Sequence, residues 1–339
     1  MHISSARRWG PLLIPVLLAI GCGTQSTADA GKDGNEIVIG HSVPHGADPV
    51  LAAQAHGLEV EAKRQGYKVI TTDANVDPGK QISDVETMLQ RGIDALVIWP
   101  LDATSIQPEL DRVRAAGIPV VVHDTASDGP YFTNLDYADH QAAYEAAEYL
   151  AELNGPGSSA VAVLGPETIE TFRERNAGFR EGAEAAGLKI LDAQTNERIT
   201  PDATAALART WKQRFGSEAQ GLFDPVDLTA LAAAAVKDDK FAPDVVGLGG
   251  GDDAIEAVRS GVLAATWDLR PTLIGRALVW AVSEALADRK LPADITIELP
   301  RIDHDNVGQV MSSEDQLDAD VAFGTEKRDG KTYLTVDIG

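Results

Sequence analysis

Cysteine is nearly absent from this 339-residue sequence, which contains only Cys22. A disulfide framework needs pairs and a cysteine-rich metal site needs several, so both are excluded. Basic residues are also scarce, with 29 Lys and Arg against 52 Asp and Glu and a formal net charge of −23. No basic cluster relieves that imbalance, so a phosphate backbone would be repelled and nucleic acid is not an expected partner. Long apolar runs are missing too. The stretch from Trp9 to Ile20 falls short of the ~20 residues a spanning helix needs, and Pro11 and Pro15 interrupt it. What is present is 44% hydrophobic and 24% charged residues, enough to build a core. At roughly 150 residues per domain the length suggests about two domains.

The Trp9 to Ile20 stretch follows Arg7 and Arg8 and ends at Gly21 and Cys22, the order of an export signal. Ala19-Ile20-Gly21-Cys22 resembles a bacterial lipobox, with Ala19 where leucine is usual. This implies that residues 1–21 are a lipoprotein signal peptide and that Cys22 is acylated, anchoring the chain outside the cytoplasm. Membrane contact would then be through lipid alone. The other reading is a simple signal peptide with Cys22 an idle thiol. Residues 22–35 are small and polar and read as a flexible tether.

From Glu36 onward, β-branched runs alternate with segments of helical period. Strands are expected at 37–40, 68–71, 95–99, 120–123, 160–164, 221–223, 245–248 and 263–267. Between them, Leu51, Ala55, Leu58 and Ala62 share one helical face, as do Ile82, Val85 and Leu89, then Ile106, Leu110 and Val113. Continuous apolar strands between amphipathic helices indicate an α/β fold of two doubly wound parallel-sheet lobes. Ligands of such sheets gather at the carboxyl ends of the strands. The Lys327-Arg328-Asp329-Gly330 stretch between two short apolar runs in the tail predicts a hairpin with an Asp-Gly turn.

Several segments then fall in a familiar order. They are Gly66-Tyr67-Lys68-Val69, Lys80-Gln81-Ile82, Gly92-Ile93-Asp94-Ala95, Pro100-Leu101-Asp102, Ala116-Gly117-Ile118-Pro119 with Asp124, Arg175-Asn176-Ala177-Gly178-Phe179 and Val245-Val246-Gly247. Together they resemble the ribose- and galactose-type periplasmic binding proteins, the substrate receptors of sugar ABC importers. The related lactose-repressor family shares the body but begins with a DNA-binding helix-turn-helix, where this chain has an export signal. The resemblance implies a type I periplasmic-binding-protein fold with a three-crossing hinge near Asp136, Leu269 and Pro300. Its lobes would be 36–135 plus 270–299 and 136–269 plus 300–310, and residues 311–339 form an extension without an assigned role.

The resemblance further implies that Asp124 accepts hydrogen bonds from sugar hydroxyls and that Arg175 donates to them. Asp48 and Asp227 match a first-loop asparagine and an aspartate that opens a second-lobe helix. Trp99, Trp267 and Asp252 are further candidates for the ligand wall. The chain departs from the pattern at Val50, Leu51 and Ile199, where relatives often carry stacking aromatics, and at Val226, Gly249 and Leu269, where they carry polar residues. Residue chemistry leaves alternatives open. Asp124, Asp48 and Asp227 can equally cap helices, Arg175 can form a surface ion pair with Glu174 or Glu181, and either tryptophan can serve the core. Asp124 and Arg175 are expected in a solvated cleft, dispensable for folding.

Other chemistries find little footing. His41, His45 and Asp48 are metal-ligating types without a spacing that sets a geometry, so no metal site is assigned. The glycines around Gly249-Gly250-Gly251 are followed by Asp252 and Asp253, which oppose phosphate, and no cofactor is expected. Nucleophile-elbow and zincin motifs are missing. The expectation is a binding protein that captures a small polyhydroxylated solute by hinge closure and delivers it to an ABC permease. A lipid-anchored sensor for a membrane signalling partner and a glycosidase with two cleft carboxylates are the alternatives.

Overall fold

Strands form where β-branched runs lie and helices where apolar residues recur at helical spacing, in alternation from Val38 onward. The computed structural model describes residues 36–125 and 129–339, so Cys22 and the expected signal and tether lie outside the described residues. The first half runs β1 (Val38–Val43), α1 (Pro49–Arg64), β2 (Lys68–Asp73), α2 (Pro78–Gln90), β3 (Ala95–Ile98), α3 (Gln107–Ala115), β4 (Val120–His123) and β5 (Thr133–Tyr137). The second runs α4 (Asp139–Asn154), β6 (Ser159–Leu164), α5 (Glu170–Ala186), β7 (Lys189–Thr195), α6 (Pro201–Arg214), β8 (Gly221–Phe223), α7 (Asp227–Ala234), β9 (Asp244–Gly249), α8 (Asp252–Arg259) and β10 (Ala265–Asp268). There follow α9 (Pro271–Leu286), β11 (Asp294–Ile297), β12 (Arg301–Asp303), α10 (Ser313–Asp318), β13 (Val321–Arg328) and β14 (Lys331–Ile338).

Among the described residues the strands form an eight-stranded sheet, β13-β14-β11-β5-β4-β3-β1-β2, and a six-stranded sheet, β12-β10-β9-β8-β6-β7. All pairings are parallel except β10 with β12 and β13 with β14. Side chains alternate across the first sheet as the period of two requires. Leu96, Ile98, Val120 and Val122 pack on α2 and α3, while Val97 and Val121 join Leu58, Ile274 and Leu278 beneath α1 and α9. The second sheet repeats the scheme, with Ala160 and Ala162 toward α4 and α5 and Val161 and Val163 toward Trp211 and Ala230.

The chain passes between the sheets after Tyr137, after Asp268 and after Ile297, at the three expected crossings. The tail adds a fourth passage between β12 and α10, returning to the first sheet, where β14 pairs with β11. Its hairpin turns through Asp329 and Gly330, both at positive φ (50° and 81°), the geometry of a two-residue type I′ turn. Arg276 of α9, buried and paired with Glu61, donates to the carbonyls of Gln316 and Ala319 and so pins this return to the first lobe. No described helix is long and apolar enough to cross a membrane.

Candidate functional site

Strand β4 ends at His123, and Asp124 then takes a left-handed conformation (φ 65°). The Thr125 N–H bonds back to the His123 carbonyl at 2.8 Å while the Asp124 N–H donates to Leu135 of β5. This γ-turn is costly for a residue with a side chain, and such strain gathers at ligand sites. A neutral histidine braces it from below. His123 Nδ1 donates to the Leu135 carbonyl at 2.8 Å, so Nε2 is left to accept from Gln54 at 2.8 Å. Burial holds this imidazole down at about 4 and that of neighbouring His41 at about 3.

Arg175 approaches from the other lobe on α5. The approach depends on Gly178, one turn along, because a Cβ there would stand 2.1 Å from the His140 carbonyl oxygen. With α5 so close to α4, Arg175 Nε reaches Asp139 at 2.7 Å and Nη1 reaches the Pro225 carbonyl at 2.7 Å. Thr171, four residues earlier on the same helical face, donates its hydroxyl to Asp124 Oδ2 across the cleft. Arg175 is 4% and Asp124 5% exposed, which corrects the expectation that both are solvated and disfavours the alternative of a surface partner for the arginine. Burial, then Asp139 and Asp136, push the Asp124 carboxyl well up, with Arg175 opposing. Burial alone would lower Arg175, but Asp139 and Asp124 outweigh it and hold the guanidinium charged. One atom of each partner, Asp124 Oδ1 and Arg175 Nη2, has no hydrogen-bond partner among the described residues.

Between the lobes Thr171 and Arg175 face an open cleft cavity, which Asp124 adjoins through Thr171 without lining it. Its polar side chains are His45, Asp48, Thr171 and Arg175, and Trp99 forms one wall, edge-on to His123 with centroids 4.9 Å apart. The rest is apolar. Val50 and Leu51 of α1 face Phe172, Ile199, Val226 and Leu269, so the positions where the chain departs from the family pattern lie on this wall, with Gly249.

Asp48 lies at the cleft as expected and also caps α1, accepting from Val50 and Leu51. Burial pushes its carboxyl up. The remaining candidates separate from the cavity. Asp227 accepts from the Gly250 N–H at 2.7 Å and the Thr266 hydroxyl at 2.7 Å, locking β9 to β10, and burial pushes it up to about 7. Trp267 is fully buried within β10, with its indole N–H on Glu145 and its ring edge-on to Tyr149, so its role is in the core. Asp252, first residue of α8, accepts from Ser313 outside the cleft. Asp139 and Thr171 were missed. The four-residue spacing of Thr171 and Arg175 was the available signal for the latter. Among the described residues no group of His, Cys, Asp or Glu is arranged to hold a metal ion.

Two lobes meeting where Thr171 bonds Asp124 beside a buried arginine, with the chain threading between them, is the architecture that comparison with known proteins decides. Residues 39–290 match the periplasmic binding protein domain. The chain belongs to the periplasmic binding protein family. It is 30% identical over 295 residues to the ribose import binding protein RbsB of Bacillus subtilis (strain 168), covering 85% of this chain and 95% of the relative. It is 25% identical over 292 residues to a xylitol-binding protein of Mycolicibacterium smegmatis, covering 84% of this chain and 82% of that one. An ABC transporter periplasmic solute binding protein from Actinobacillus succinogenes, solved with bound D-allose, superposes with a TM-score of 0.75 at 18% identity, covering 81% of this chain and all of its own. The family is made of extracytoplasmic binding proteins.

Proposed function

We propose that this periplasmic binding protein is the solute receptor of an ABC importer, capturing a small sugar, polyol or related ligand and presenting it to the permease. The observation that carries the reading is that Thr171, on the helix that carries Arg175, bonds Asp124 across the cleft, leaving Asp124 and Arg175 each with one buried polar atom still to be satisfied. A vicinal diol supplies what those atoms lack, since one hydroxyl donates to the carboxylate and another accepts from the guanidinium. Both contacts exist together only when the lobes are closed, so the ligand stabilises the closed state by its differential affinity. Relatives that bind ribose and xylitol support this ligand class. Asp48 and Trp99 complete the proposed binding set. Residues 1–21 act as a signal peptide, and lipidated Cys22 with the 22–35 tether holds the receptor at the outer face of the membrane. The lobes are 36–135 plus 270–299 and 136–269 plus 300–310.

The test is a thermal-shift screen of sugars, polyols and inositols on the full-length protein, because a ligand at 100 times its Kd adds about 2.7 kcal/mol of stability. A hit should shrink the radius of gyration in solution scattering and be recovered unchanged. Turnover of the ligand would favour a glycosidase instead. Recovery of the native protein as a soluble, unlipidated species would remove the anchor from the proposal.

A further inference from the structure

We infer that the preferred ligand has one hydroxylated edge and an opposite edge without hydroxyls, as in a deoxy or methyl-bearing sugar. This rests on the reading of the cleft as a polyol site. Phe172, Ile199 and Val226 form an apolar cluster of their own, apart from the cores of both lobes, and all three face the cleft cavity. Val50 and Leu51 stand on the opposing lobe. Ile199 is held at φ 52°, a conformation that β-branched residues avoid. The turn that holds it is braced by Asn196, whose amide bonds the Thr200 carbonyl and the Thr204 hydroxyl. Backbone strain is thus maintained at a position that presents an aliphatic side chain to the cavity.

The polar side of the cavity lies instead toward the first crossing, where Asp139 anchors Arg175 with its Nη2 unpartnered and where Asp124, its Oδ1 unpartnered, adjoins the lining through Thr171. Asp224, behind the apolar cluster, lies outside the cleft cavity. A fully hydroxylated ring would therefore satisfy one edge and press the other against side chains that neither donate nor accept. Hydroxyls there lose water and gain nothing, whereas a methyl or methylene gains from burial.

The experiment is titration calorimetry of the full-length protein in detergent with matched pairs. These are D-ribose and 5-deoxy-D-ribose, D-galactose and 6-deoxy-D-galactose, and L-mannose and 6-deoxy-L-mannose. In the tightest-binding pair the deoxy member should bind at least about fivefold more tightly, the lower bound for one buried hydroxyl left unpartnered. Equal or tighter binding of the parent overturns the inference and leaves the polyol reading standing. So does binding of other polyols when all three deoxy sugars fail. If no sugar, polyol or inositol binds, both fall. Val226→Asn places a polar group on the wall at the residue preceding α7, where asparagine is a favourable cap, so folding is retained. The variant should move the preference toward the hydroxylated member, and an unchanged preference in the folded variant overturns the assignment of this wall.

Discussion

Two groups of aspartates stand at the carboxyl ends of strands, one around Asp124 and one around Asp227, and they have become opposite things. Both are buried, and burial raises both carboxyls. Around Asp227 the second lobe itself supplies donors to Oδ2, the Gly250 N–H and the Thr266 hydroxyl, so the residue braces β9 to β10 even though its Oδ1, like that of Asp124, has no partner among the described residues. Around Asp124 the only described donor is a hydroxyl from the other lobe, while a guanidinium lies near with an unused N–H. A strand-end carboxylate becomes a candidate ligand group when its own lobe supplies it no donor at all, whatever its position in the sequence.

The largest effect that would sharpen this contrast comes from Arg175→Met. The substitution keeps most of the volume but leaves Asp139 and Asp124 buried without their cation. Breaking a buried pair costs about 3–5 kcal/mol, so urea unfolding should shift by that order, and ligand binding should be lost as well. Stability within about 1 kcal/mol of the parent would show that the pair is solvated after all. Asp124→Asn should behave differently. It removes a carboxyl crowded by Asp139 and Asp136 and keeps the shape, so stability should hold or rise. Affinity for a hit from the screen should fall roughly tenfold to 150-fold, since one acceptor becomes a donor. Unchanged affinity would remove Asp124 from the site.

The alternation of strands and helices was legible because buried parallel strands are apolar throughout, as at Val120 to Val122. Strands β5, β7, β11 and β12 were not foreseen. Thr133-Asn134-Leu135-Asp136-Tyr137 is too polar to read as a core strand, β7 lies at a sheet edge, and β12 is three residues long. Asp124 and Arg175 were found through motif order, and they stand on facing lobes, linked through Thr171 of the arginine's own helix. Their depth was not legible, because the Arg175 partner, Asp139, is 36 residues away and meets it only through the close packing of α4 on α5. Trp99 and Trp267 looked alike as strand-end tryptophans. Position along the strand separates them, since Trp99 follows the last residue of β3 and lines the cleft whereas Trp267 stands inside β10 and bonds to Glu145 of α4.

Asp227→Ala tests the other side of the comparison and carries a pH signature. Removing the carboxyl leaves the Gly250 N–H without one of its acceptors and the Thr266 hydroxyl without its own, at a cost of about 1–3 kcal/mol. The folded carboxyl titrates at about 7, raised by burial and by Asp48 and Asp268 nearby, against an ordinary 3.8. Between those values the folded state holds a proton the unfolded state has released, so stability from this group is full below about 4 and falls as pH rises through 7. The variant lacks this titration. Its destabilisation should therefore be greater at pH 5 than at pH 8, and a penalty that grew with pH would contradict a raised carboxyl.

Asp252→Ala should give the smallest effect, and it marks where the cleft ends. Asp252 was a candidate for the ligand wall, yet it accepts from the Ser313 N–H at 3.3 Å and the Ser313 hydroxyl at 3.0 Å, on the exposed passage by which the tail returns to the first lobe. It also sits in the first turn of α8, where a negative charge is worth about 0.3–1 kcal/mol. Loss of both contributions at an exposed site should lower stability by no more than about 1 kcal/mol, since the Ser313 groups can turn to water. Affinity should stay within about twofold, because no atom of Asp252 faces the cavity. The measurement is calorimetry and urea unfolding on the same preparation. A tenfold loss of affinity with stability intact would mean that this contact between the second lobe and the returning tail governs closure, and the separation drawn between the Asp124 site and the rest of the strand-end acids would have to include the tail.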